Sequence, residues 1–134
     1  AMPRHEAAVL GDPVGAAEAL LFLDLGQEES RRVAREALEL LPDLRARGVR
    51  IVVYAGGEDG AALVAAQRAG RAADGLRSLL ERKRATADPS AALVVARQER
   101  ARAQLGIDAY PTALWRDGRK TGAFSLREIA DAVR

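Results

Sequence analysis

Two apolar runs, Ala19–Leu25 and Val49–Tyr54, flank a stretch of helical periodicity, and this arrangement constrains the fold more than any other feature. Each run is nearly continuous in aliphatic residues, as in strands covered on both faces. Between them Val33, Ala34, Ala37, Leu38, Leu41 and Leu44 recur at the spacing of one helical face. Glu28-Glu29-Ser30 opens that helix with acids that complement its macrodipole. Pro42 kinks or ends it, and Gly48 is a stop. A strand, a helix and a second strand make a right-handed unit with parallel strands.

The second organising stretch is Gly106–Lys120. A helix ends near Gly106, Pro111 stands directly before a short apolar run, and Asp117-Gly118 marks a hairpin turn. Pro111 in a turn entering a strand is a candidate for a cis peptide bond. Strands are expected at about Thr112–Arg116 and Lys120–Ala123. Ser125-Leu126-Arg127-Glu128 then matches a capping box ahead of a last helix. Between the second strand and this hairpin lies a helical insert at about 59–105. Gly70 interrupts it, and Asp88-Pro89 supplies an N-cap and first helical residue for its final helix. Leu93, Val94, Ala101 and Leu105 are the apolar face expected there. Residues 1–17, punctuated by Pro3, Gly11, Pro13 and Gly15, read as an irregular lead-in with room for a short helix or edge strand around Glu6–Leu10.

The order strand, helix, strand, helical insert, hairpin, helix resembles the thioredoxin-like plan. The resemblance is to the catalytic domain of bacterial periplasmic disulfide isomerases and covers about 18–134, read as one domain. Phe22-Leu23-Asp24-Leu25 entering the first helix and Leu105-Gly106-Ile107-Asp108-Ala109-Tyr110-Pro111-Thr112 carry it. It implies an α/β fold with a mixed four-stranded sheet of order 2-1-3-4, flanking helices and the insert after the second strand. It also implies a periplasmic location. The family's Cys-x-x-Cys at the start of the first long helix matches Gln27-Glu28-Glu29-Ser30 here.

The chain contains no cysteine. Thiol–disulfide exchange needs a thiolate to attack a sulfur, so dithiol catalysis is excluded by chemistry. A net charge of +2 and an aromatic content of 4% disfavour a nucleic-acid partner. No apolar run is long enough to cross a bilayer. No signal peptide is visible, and Ala1-Met2 reads as an expression remnant, leaving room for a native leader upstream. No histidine or cysteine cluster has metal-ligand spacing, and no cofactor is implied.

The degenerate site retains candidates for binding a protein or an extended peptide. Under the thioredoxin-like arrangement, the backbone of Ala109 and Tyr110 beside Pro111 faces the helix start at Gln27 and Ser30, and an extended segment could pair with it. Ser30 lacks a base, because the one histidine, His5, lies in the lead-in. The loop Gly56–Gly60 lacks a phosphate-loop ending and carries Glu58 and Asp59, so it reads as an ordinary loop. From Arg68 to Arg102 basic residues outnumber acidic ones nine to four, which makes Arg82, Lys83 and Arg84 a candidate docking face. The leading expectation is a redox-inactive binding or assembly module of the bacterial cell envelope, by analogy with pilus-assembly or conjugative-transfer components. The alternatives are a cysteine-independent enzyme binding glutathione-type thiols, and a domain that docks through its basic insert.

Overall fold

A computed structural model describes residues 2–82 and 88–133. In chain order the elements are β1 (Ala8–Gly11), β2 (Ala17–Leu23), α1 (Glu28–Glu39), α2 (Leu41–Arg47), β3 (Val49–Ala55), α3 (Gly57–Arg68), α4 (Ala72–Leu80), α5 (Pro89–Gln104), β4 (Thr112–Trp115), β5 (Gly118–Thr121) and α6 (Leu126–Ala132). They build one mixed sheet of order β1-β3-β2-β4-β5. β2 and β3 are parallel, with Leu21 beside Val53. β4 runs antiparallel to β2, with Phe22 beside Thr112, and β5 closes the hairpin.

The four strands β3-β2-β4-β5 have the expected 2-1-3-4 order. The sheet nevertheless has five strands, not four. The fifth is β1, which pairs antiparallel with β3 from within the stretch read as lead-in. Of the short helix or edge strand expected around Glu6–Leu10, the structure has the edge strand, four residues long and ending at Gly11. Gly11 adopts φ +88, and a Cβ there would sit 2.5 Å from the Val49 carbonyl oxygen, so the chain needs glycine at this bend.

Both sheet faces are covered, which explains the near-continuous apolar strands. On one face Leu21, Leu23, Ile51 and Val53 pack with Val33, Ala37, Leu44, Leu126 and Ile129. On the other, Leu20, Phe22, Val52 and Tyr54 meet Met2, Ala7 and Ile107. Phe22 and Tyr54 stack with ring centroids 5.2 Å apart. The Tyr54 hydroxyl donates to the Pro3 carbonyl at 2.9 Å, tying the first residues to the sheet. Burial pushes that hydroxyl's pKa upward.

Helix boundaries follow local chemistry. α1 stops at Glu39, and Pro42 sits in the first turn of the new helix α2. Gly48 ends α2 in the left-handed region at φ 68. Asp88 caps α5 by accepting the Ser90 amide at 3.0 Å, with Pro89 next in line. α6 departs from expectation. Ser125 is its N-cap by backbone geometry, but its side chain makes no capping bond. Glu36 of α1 takes that role, accepting the Leu126 amide at 2.6 Å, the Arg127 amide at 3.3 Å and the Ser125 hydroxyl at 3.0 Å. The face of α5 also differs: Ala91, Val95 and Gln98 are buried, whereas Leu93 is 67% exposed.

Candidate functional site

The site begins where β2 runs out. Asp24 leaves the sheet, and its carboxylate accepts the Gly26 amide at 3.0 Å and the Gln27 side-chain amide at 3.1 Å. Its own amide donates to Ser30 Oγ at 3.0 Å, while the Gln27 amide donates to the Asp24 carbonyl at 2.9 Å. These four bonds fix the turn into α1. Gln27 is the N-cap residue, with an extended backbone and a side chain turned to Asp24. Glu28 and Glu29 occupy the first turn and pair locally, Glu28 with Arg35 at 2.5 Å and Glu29 with Arg32 at 3.0 Å.

The loop before β4 supplies the facing wall. The Tyr110–Pro111 peptide is cis, and Pro111 is buried. Thr112 Oγ1 donates to the Ala109 carbonyl at 2.7 Å, and the Gly122 amide donates to the Pro111 carbonyl at 2.9 Å. Between these two anchored residues, the amide and carbonyl of Tyr110 have no partner among the described residues. Its ring lies 5.8 Å from the Arg102 guanidinium carbon, within cation–π range. Burial pushes the Tyr110 hydroxyl's pKa upward.

A cleft of about 240 Å³ opens between these walls, lined by Asp24, Leu25, Gly56, Asp59 and Tyr110 among others. It lies beyond the carboxyl ends of the parallel strands β2 and β3, where α/β sheets commonly place ligands. Burial, followed by the charges of Asp24 and Glu58, raises the pKa of the Asp59 carboxyl. The cleft therefore presents negative charge, exposed main chain and an aromatic ring. It suits a cationic group on an extended chain.

Comparison with family models gives no match, and comparison with curated proteins gives none. Solved structures are similar in shape. A thioredoxin-like oxidoreductase from Silicibacter pomeroyi DSS-3 shares 21% identity at a TM-score of 0.67, covering 96% of this chain and 90% of that one. A periplasmic thioredoxin-like protein from Salmonella enterica serovar Typhimurium aligns at 0.71 and 12% identity, over 96% of this chain and 88% of that one. The thiol-disulfide exchange protein alpha-DsbA2 from Wolbachia pipientis aligns at 0.69 and 14%, over 96% and 87%. This chain has a thioredoxin-like fold. The thioredoxin-like domain has no cysteine, so the dithiol exchange named for such neighbours is closed to it.

Within the thioredoxin-like domain the sequence-derived candidates divide. Tyr110 lines the cleft, and Gln27 reaches it through Asp24. Ser30 is fully buried, with its hydroxyl engaged by the Asp24 amide, so it is a structural residue of the turn. Ala109 is exposed, but Thr112 already binds its carbonyl. Pro111 lies beneath the surface. Arg82 is exposed at the end of α4 with φ 58, and Lys83 and Arg84 lie outside the described residues. Several other insert arginines are paired: Arg68 with Glu6 at 2.7 Å, Arg77 with Asp74 at 3.0 Å and Arg102 with Glu99 at 3.2 Å.

Sequence reasoning missed Asp24 and Asp59 as site residues. The available signal was position: each directly follows, or nearly follows, the end of one of two parallel strands. Among the described residues no group of three or more histidine, cysteine or acidic residues could hold a metal, and no helix is long and apolar enough to cross a membrane.

Proposed function

We propose that this thioredoxin-like domain is a redox-inactive binding or assembly module of the bacterial cell envelope that holds an extended protein segment in the cleft beside Tyr110. One observation carries the reading: the Tyr110 amide and carbonyl are unpaired at the edge of the cleft, between neighbours whose carbonyls are engaged. An extended segment pairing with that residue would gain two main-chain hydrogen bonds. Asp24 and Asp59 favour a lysine or arginine side chain on that segment. A periplasmic setting, and a place in pilus assembly or conjugative transfer, are drawn by analogy with proteins of this plan. A glutathione-type enzyme is disfavoured because Ser30 is buried and the cleft's acids repel the ligand's carboxylates.

The test is a titration of the isotope-labelled protein with extended peptides carrying lysine or aspartate at the central position, followed by amide shifts. The lysine peptide is expected to shift Tyr110, Gly26 and Gly56, and to bind more weakly to the Asp59→Asn variant. Absence of shifts at Tyr110 with every peptide defeats the binding role. Insulin reduction by the pure protein defeats the redox-inactive part.

A further inference from the structure

We infer that a second groove, beside β1, docks an extended acidic segment of a partner protein as an additional edge strand. β1 has β3 as its single sheet neighbour. The Asp12 amide donates to the Val49 carbonyl at 3.0 Å, which makes Asp12–Val49, Leu10–Ile51 and Ala8–Val53 the hydrogen-bonded pairs. Val9 and Gly11 therefore turn their main-chain groups outward. The Gln67 side-chain oxygen accepts the Val9 amide at 3.0 Å, while the Val9 carbonyl has no partner among the described residues.

A groove of about 660 Å³ is lined by Val9, Gly11, Leu41, Arg45, Arg71 and Arg77, from β1, α2 and α4. Arg77 is paired with Asp74. Arg45 and Arg71 are exposed and have no ion-pair partner among the described residues. The Val9 carbonyl left unpaired on this side of the half-buried edge can accept from an extended main chain, and two unpaired guanidinium groups select carboxylates on it. The groove contains no aromatic side chain on which a base could stack. It shares no lining residue with the cleft at Tyr110, so this proposal stands apart from the function proposed above.

The probes are a synthetic peptide alternating glutamate and valine and its lysine–valine counterpart, titrated into the isotope-labelled protein. The glutamate peptide is expected to shift the amides of Val9, Gly11 and Arg71 and leave Tyr110 unmoved. The double variant Arg45→Glu, Arg71→Glu should bind it about tenfold more weakly while retaining a dispersed spectrum. Should that variant fail to fold, the wild-type salt series decides: affinity must fall several-fold from low to high ionic strength. Equal binding of the lysine peptide, no shift on β1, or unchanged affinity across the salt series overturns the proposal. So do β1 shifts that track protein concentration without peptide, because they assign the edge to a second copy of the chain.

Discussion

Replacing Glu36 by alanine should destabilise the domain by about 2 kcal/mol, through a helix that starts ninety residues away. The carboxylate accepts from the amides of Leu126 and Arg127 and from the Ser125 hydroxyl. Loss of a helix cap costs about 1 kcal/mol, and a hydrogen bond to a charged group contributes about 1.5–3 kcal/mol. Water recovers part of this, because the Glu36 side chain is 21% exposed. It recovers less at Leu126, which is fully buried and anchors α6 on the main core with Ile129 and Ala130. Three full bonds therefore overstate the loss, and one cap understates it. For a domain of 134 residues the expected fall in Tm is about 7 °C. Urea and thermal unfolding followed by far-ultraviolet circular dichroism measure it, with an unchanged m-value showing that compactness is preserved. The control is Glu128→Ala. A capping box at Ser125 assigns the cap to Glu128, whereas the structure leaves Glu128 exposed, so this change should stay within about 0.5 kcal/mol. A loss for Glu128→Ala equal to or larger than that for Glu36→Ala refutes the reasoning.

Asp59→Asn tests the cleft by pH. The folded chain holds the Asp59 proton above the ordinary value of 3.8, so wild-type stability falls as pH rises through that range. The variant should be the more stable protein at neutral pH, with the gap closing near pH 3, as read from urea midpoints. Gly118→Ala places a Cβ 2.3 Å from Trp115 Cζ2, so the indole must shift. A loss of about 1–3 kcal/mol and a change in the emission of Trp115, the one tryptophan, are expected. Leu93→Glu should change the urea midpoint little, within about 0.5 kcal/mol, because that side chain faces solvent.

The parallel pair β2 and β3 was legible because strands buried on both faces leave continuous aliphatic runs. Gly48, Asp88 and Pro89 were legible because caps are set by a few neighbouring residues. The errors have a common origin in long-range partners. Ser125 and Glu128 have the spacing of a local capping box, yet Glu36 caps this helix start from the neighbouring helix, through the Leu126 and Arg127 amides. α5 exposes Leu93 and buries Ala91, Val95 and Gln98, so an alanine and a glutamine take core positions while a leucine faces solvent, an arrangement hydropathy does not single out. For β1 the sequence left helix and edge strand open around Glu6–Leu10, and pairing with β3 decides for the strand. The site behaves alike. Tyr110 and Pro111 could be picked from a local motif, whereas Asp24 and Asp59 become neighbours once β2 and β3 lie side by side.

The electrostatics of the helix start define the character of the cleft. The first turn of α1 has unpaired amides that ordinarily draw an anion. Here Glu28 and Glu29 supply negative charge at that end, and Asp24 and Ser30 tie the preceding turn internally. The lining acids Asp24 and Asp59 bias the cleft toward cations, while the groove beside β1 exposes Arg45 and Arg71 and is biased toward anions. A single acidic or basic segment cannot satisfy both. If both are occupied together, the partners or partner segments must differ in charge, and the domain acts as a bridge between them. Saturating the cleft with the lysine-bearing peptide should then leave the affinity of the β1 groove for the glutamate–valine peptide unchanged, measured by amide shifts at Val9 in the ternary mixture. Competition between the two peptides would show that they share one surface, and the bridging argument would fail.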